Sequence, residues 1–199
     1  MICKEKIKQA AQIIKRGGIV VFPTDTVYGV GCSITSEKAV KRIYNIKSRQ
    51  NRKPLIVFIR YKSELKKFVE SVSGNARNLI NKFWPGKLTL IFKAKRNLKK
   101  WQKSNTDTIG IRIPDNPVVL ALIKASGPML TTSANFSGDK SSGRFSDIPK
   151  EFISKSDLAI ECDQKSKGAE STVLDVSVKP FRILRQGEVK IKSVKTLTS

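Results

Sequence analysis

The chain is predicted to be an α/β domain built on one large, twisted, mixed sheet. Three observations lead there. Short apolar runs of strand length (IVVF, PLIVFI, KLTLIFKAK, TIGIRIP, PMLTT) are interleaved with amphipathic helical patterns. These elements mix without a clean βαβ repeat, which argues against a purely parallel sheet. The 199 residues contain no internal repeat, linker or composition break, so residues 1–199 are expected to form a single domain with a substantial core.

The elements follow in order. MICKEKIKQAAQIIKRGG is too charged for a signal peptide and suits an amphipathic helix ended by Gly17 and Gly18. Ile19–Phe22 forms a buried strand that Pro23 stops, and Thr24, Asp25 and Thr26 then crowd polar groups at the strand end. Apolar residues resume at Val27, Tyr28 and Val30. Ser36 is placed to cap a helix running through Lys47 with Ala39, Val40, Ile43, Tyr44 and Ile46 on its apolar face. The polar loop SRQNRK leads into PLIVFI; Ser63 is expected to cap a helix ending near Val72, and another runs from about Asn75 to Phe83. Trp84-Pro85-Gly86 breaks that helix before KLTLIFKAK and TIGIRIP. A helix from Pro117 to about Ala125, the strand PMLTT and a Ser- and Gly-rich loop follow, and the end of the chain is expected to hold strands at DLAIE, STVLDVS and FRILR.

Composition narrows the chemistry. Lys plus Arg number 39 against 16 Asp plus Glu, a net charge of +23. A polyanionic partner or substrate fits that balance, and non-specific RNA affinity in low salt is expected, with tRNA or double-stranded RNA as the partner class. The lysines are spread along the whole chain, so a bias of genome composition explains the charge equally well. Cys3, Cys32 and Cys162 are far apart and odd in number, which speaks against a disulfide framework or a cysteine metal site. The chain has no histidine, which excludes Ser-His-Asp and Cys-His catalysis and histidine zinc sites. An enzyme made this way works by positioning, cations and hydroxyl or amide hydrogen bonds. No apolar run reaches membrane length, so no membrane association is expected and the cytoplasm is the default location.

Five segments carry chemical residue types. Small hydroxyls on a stiff strand end at Thr24-Asp25-Thr26 suit recognition of a small polar molecule, or simply cap the strand. Lys47, Arg49, Arg52 and Lys53 cluster between a helix end and a strand, as a triphosphate clamp or a solvated basic loop. Arg112 alternates with apolar residues in a core strand, where it requires an anion: a ligand, or a structural salt bridge. Thr131-Thr132-Ser133-Ala134-Asn135 with the Gly-Ser loop behind it is built like a ligand loop. Ser171-Thr172 starts one strand and Arg185 ends another.

Taken together and in order, FPTDTVYGVG, KSR with RKPL, FWPGKLTLIF, TIGIRIP, TTSANFSG, STVLD and ILRQG resemble the YrdC-like threonylcarbamoyl-adenylate synthase family in its short, single-domain form. The resemblance runs from about residue 10 to 190. It implies an open twisted mixed sheet with flanking helices and a basic concave site. It also implies the reaction of L-threonine, bicarbonate and ATP to threonylcarbamoyl-adenylate and pyrophosphate, with Mg²⁺ accompanying ATP and no tightly bound cofactor or resident metal. A separate transferase complex then modifies a tRNA adenosine beside the anticodon.

Carried over by position, the resemblance gives Thr26, Arg112, Thr131 and Ser171 to threonine, with Arg112 facing the substrate carboxylate. It gives Lys47, Arg49, Lys53, Thr108, Ser133, Asn135, Ser141 and Arg185 to ATP. Tyr28 and Asp25 are expected to shape the pocket, Asp25 being also the one weak candidate for a general base. The chain departs from the family pattern at Phe58, where many relatives carry a histidine, and at Gln50, where a proline often stands. Two other functions fit the sequence: a non-catalytic module holding structured RNA in the basic concavity, and carbamoyl-adenylate chemistry of the kind related domains perform in larger maturation proteins.

Overall fold

Period-two alternation along the central strands decides which face of the sheet is core and which is left for a ligand. The computed structural model describes residues 4–47, 53–162 and 168–191. The strands are β1 (Val20–Phe22), β2 (Gly29–Ser33), β3 (Ile56–Phe58), β4 (Leu88–Lys93), β5 (Thr108–Arg112), β6 (Met129–Ser133), β7 (Leu158–Ala159), β8 (Thr172–Asp175) and β9 (Arg182–Arg185). The helices are α1 (Lys4–Lys15), α2 (Glu37–Ile46), α3 (Gly74–Phe83), α4 (Pro117–Ser126) and α5 (Lys150–Ser154).

All nine strands form one mixed sheet in the order β7-β1-β2-β6-β3-β5-β4-β8-β9. Parallel pairs (β1 with β7, β3 with β5, β4 with β8) are set among antiparallel ones, as the absence of a βαβ repeat predicts. Ile19 and Val21 point into one core cluster with Val57, Leu88, Leu90, Ile109, Ile111 and Leu174, which α2 and α3 cover. Val20, Phe22 and Phe58 point to the other side, where α1 and α4 supply Ala10, Ala11, Ile14, Val119 and Leu122. On that second face α1 and α4 pack against β1, β6 and Phe58 of β3. Across β5, β4 and β8 the same face borders a cavity.

The helix ends are set by the expected residues. Ser36 Oγ accepts from Ala39 N at 3.3 Å, and Asn116 Oδ1 accepts from Val118 N at 3.0 Å ahead of Pro117 at the first helical position. Gly17 takes φ +80° after α1, and Gly127 takes φ +88° after α4.

Some boundaries differ from the sequence reading. The segment after Ser63 forms a 3₁₀ turn, Lys62–Lys67, in place of a helix to Val72. Its start is tied by Glu64 Oε2, which accepts from Arg60 N at 2.9 Å and Tyr61 N at 3.0 Å. Beyond it Val69 bridges Ala94, so sheet pairing pulls the chain out of helical geometry. The strand β2 and the short helix α5 add to the expected elements. Asp157, the first residue of DLAIE, lies just before β7 and clamps the sheet edge, accepting from Ile19 N at 2.7 Å and from Arg42 at 2.9 and 3.0 Å. Among the described residues no helix is long and apolar enough to cross a membrane. Cys32 and Cys162 are free thiols, and burial pushes the Cys32 thiol up to about 12, so it is inert packing. Cys3, Ser48, Arg49, Gln50 and Arg52 lie outside the described residues.

Candidate active site

The open part of the sheet is the floor of a cavity of about 730 Å³. Thr108, Gly110 and Arg112 of β5 face it while Ile109 and Ile111 face the core. Thr89 and Ile91 of β4, Ile56 and Phe58 of β3, and Ser171 and Val173 around β8 follow the same rule. Every described candidate borders this cavity: Thr26, Arg112, Thr131 and Ser171, and also Lys47, Lys53, Thr108, Ser133, Asn135, Ser141 and Arg185. Arg49 lies outside the described residues.

Arg112 is the most constrained of them. Its Nε donates to Gly86 O at 2.8 Å and its Nη1 to Thr26 Oγ1 at 3.0 Å. Its Nη2 lies 2.7 Å from Asp25 Oδ1, an ion pair between two buried groups. Both side chains are buried, 3% and 7% exposed. Burial lowers the Arg112 pKa from its usual value and the Asp25 charge opposes that shift. The arginine also stacks over Phe58, with Cζ 5.7 Å from the ring centroid. The position that departs from the family pattern thus forms a cation–π floor under Arg112. Asp25 does not border the cavity and is committed to Arg112, which removes it as a general base.

The hydroxyls are arranged in chains. Thr24 Oγ1 and Thr26 Oγ1 are 3.0 Å apart, and Thr24 donates to Val27 O at 2.7 Å, which stiffens the strand end that the sequence marked. Thr131 donates to Ile56 O at 3.0 Å, so its oxygen faces the cavity as an acceptor. Thr108 pairs with Ser104 at 2.7 Å. Tyr28 sits behind the site, donating to Cys162 O at 2.9 Å, and shapes the pocket as expected.

Lys47 borders the cavity with its ammonium turned to the main chain of the loop after β6. Its ammonium is buried and donates to Ser133 O and Asn135 O at 2.7 Å each and to Asn135 Oδ1 at 3.3 Å. Asn135 Nδ2 donates onward to Phe136 O at 3.0 Å and Asp139 O at 2.7 Å. Lys47 and Asn135 therefore hold the loop after β6 in shape, and Ser133 offers its carbonyl to Lys47. A cluster of cations in the sequence does not distinguish a charge aimed at a ligand from one aimed at main-chain carbonyls.

Two cavity residues were missed. Thr89 is buried, and its Oγ1 lies 3.0 Å from Ser171 Oγ. Glu170 accepts from Ser141 Oγ at 2.7 Å and pairs with Arg185 Nη1. Thr89 was legible as the polar residue on the open face of an otherwise apolar strand. Glu170, next to STVLD, carried no pattern of its own.

A model of the Sua5/YciO/YrdC family, described as "Telomere recombination", matches residues 12–187. The chain belongs to this family. A Methanocaldococcus jannaschii member is 35% identical over 195 residues, 96% of this chain and 92% of its own length. A Pyrococcus abyssi member named threonylcarbamoyl-AMP synthase is 34% identical over 190 residues, 95% of this chain and 56% of its own length. The structure titled P. abyssi Sua5 complexed with L-threonine superposes with a TM-score of 0.92 at 33% identity, over 100% of this chain and 58% of that one. This chain thus spans somewhat over half the length of these Pyrococcus members of the family.

Proposed function

We propose that the protein is a threonylcarbamoyl-AMP synthase, condensing L-threonine, bicarbonate and ATP with release of pyrophosphate. One observation carries this reading: hydroxyls from β6, from the turn after β1 and from the start of β8 converge with a buried arginine on a single basic cavity. The P. abyssi Sua5 structure with L-threonine supports threonine as the amino acid.

The chemistry asks for positioning more than for an acid or a base. The threonine amine adds to bicarbonate, giving the carbamate and water. A carbamate oxygen then attacks the α-phosphorus of ATP, and the bond to pyrophosphate breaks. Arg112, held by Gly86 O and Thr26, is the cation that faces the threonine carboxylate. Thr131 accepts from the substrate nitrogen, and Ser171 orients the carbamate. Lys53, Arg49 and Arg185 stabilise the phosphate oxygens, with the loop held by Lys47 and Asn135 closing over the nucleotide. The described residues bring together no group of three or more His, Cys, Asp or Glu fit to hold a metal ion. Mg²⁺ would enter with ATP as part of the substrate, where it would neutralise phosphate charge. The product passes to a separate transferase that acts on tRNA.

The test is pyrophosphate release from ATP and Mg²⁺ with and without L-threonine and bicarbonate. Release that needs both co-substrates is the expected result. Release independent of threonine, or none from folded protein, refutes the reading.

A further inference from the structure

Each described cavity cation already holds a partner, and one of those partners is itself a cavity anion. Lys47 is bound to main-chain carbonyls, and Arg112 is matched by Asp25 behind the floor. Arg185 differs. Its Nη1 pairs with Glu170 Oε2, while Glu170 Oε1 accepts from Ser141 Oγ at 2.7 Å. Glu170, Ser141 and Arg185 all border the cavity. A carboxylate with one oxygen on a guanidinium and the other on a hydroxyl uses the same donors that phosphate oxygens use.

The pair is placed firmly. Arg185 Nε donates to Ser171 O at 3.0 Å and its Nη2 to Ser171 Oγ at 3.1 Å. Gly187, two residues on, lies so close to the Glu170–Thr172 backbone that an added Cβ would fall 2.2 Å from Glu170 O. Glu188 N donates back to Glu170 O at 3.2 Å. The end of β9 and the start of β8 are thereby locked side by side, with Glu170 and Arg185 facing each other across the join. The Glu170 side chain is 33% exposed, against 39% for Arg185, and it is held by Arg185 and Ser141, both at the cavity.

We infer that Glu170 is an internal stand-in for phosphate, occupying the Arg185–Ser141 donors in the empty site so that nucleotide must displace it to bind. This rests on the reading of the cavity as an ATP site. Two anions cannot share one guanidinium and one hydroxyl without repulsion, so the carboxylate swings out when ATP arrives. When it returns, it competes with bound pyrophosphate for the same donors and assists release. A half-exposed ion pair is weak enough to be displaced and strong enough to be felt.

The test is calorimetric titration of ATP into the protein without L-threonine, where no turnover occurs. Glu170→Gln keeps the size and hydrogen-bonding reach of the side chain and removes its charge. Breaking one half-exposed pair of about 1 kcal/mol corresponds to about fivefold tighter ATP binding, and Glu170→Ala is expected to shift in the same direction. Placed on Arg185→Ala, Glu170→Gln is expected to change affinity less than about twofold, because the competition acts through Arg185. Unchanged or weaker ATP binding by both Glu170 variants, with wild type binding normally, overturns the inference and leaves the synthase reading standing. Absence of ATP binding by folded wild type overturns the synthase reading and the inference with it.

Discussion

Replacing Arg112 with alanine tests the most consequential interaction in the cavity. The arginine and Asp25 are only 3% and 7% exposed, and their nearest atoms are 2.7 Å apart. Arg112→Ala leaves a buried carboxylate whose oxygens have no hydrogen-bond donor among the described residues. Removing one member of a buried pair costs about 3–5 kcal/mol. Small domains are stable by about 5–15 kcal/mol, so the variant loses a large share of its stability. Asp25→Asn exposes a guanidinium that still has Gly86 O and Thr26 Oγ1 as acceptors, and it is expected to lose less, about 2 kcal/mol. The double variant no longer buries an unpaired charge. Its loss is expected to fall short of the sum of the single losses by about 2–3 kcal/mol. Urea denaturation of the four proteins measures this directly. Additive losses, or an Arg112→Ala loss below about 1 kcal/mol, refute the claim that Asp25 and Arg112 stabilise each other. Kinetics separate the functional role: Asp25→Asn, which keeps Arg112, is expected to raise the KM for threonine several-fold with the KM for ATP little changed.

Three further outcomes follow from the geometry. Lys47→Met removes the donor shared by Ser133 O and Asn135 O, and should cost about 2–3 kcal/mol in denaturation and raise the KM for ATP through a loosened loop. Asp157 is held below the ordinary carboxylate range, first by the hydrogen bond from Arg42. Its folded value being depressed, the stability advantage over Asp157→Asn should be present above about pH 4 and fade as pH falls through the folded value; at 35% exposure that advantage is about 1 kcal/mol. Gly187→Ala would bring a Cβ within 2.2–2.6 Å of the Glu170–Thr172 backbone, and should cost about 1–3 kcal/mol and weaken ATP use by parting β8 from β9.

Much of the site was legible because alternation is a local property. The run Thr108-Ile109-Gly110-Ile111-Arg112 already states that Thr108, Gly110 and Arg112 share one face, and the sheet makes that face the cavity floor. The charge cluster at Lys47 was less informative. It marked a region rich in cations, yet the direction of each cation depends on what packs against it, and Lys47 turns to carbonyls of the loop after β6. The helix expected after Ser63 was lost for a similar reason, because Val69 pairs with Ala94 across the fold.

The sequence by itself determined the α/β class, most element positions, the residue types of the cavity and the absence of histidine chemistry, since propensity, alternation and composition act over a few neighbouring residues. Only the tertiary structure decided the strand order that sets β5 between β3 and β4, the side of the sheet that α1 and α4 leave open, and the carboxylates that meet Arg112 and Arg185. Those pairings join residues 15 or more positions apart. No local pattern encodes them, because the free energy that selects them exists only once the faces have met.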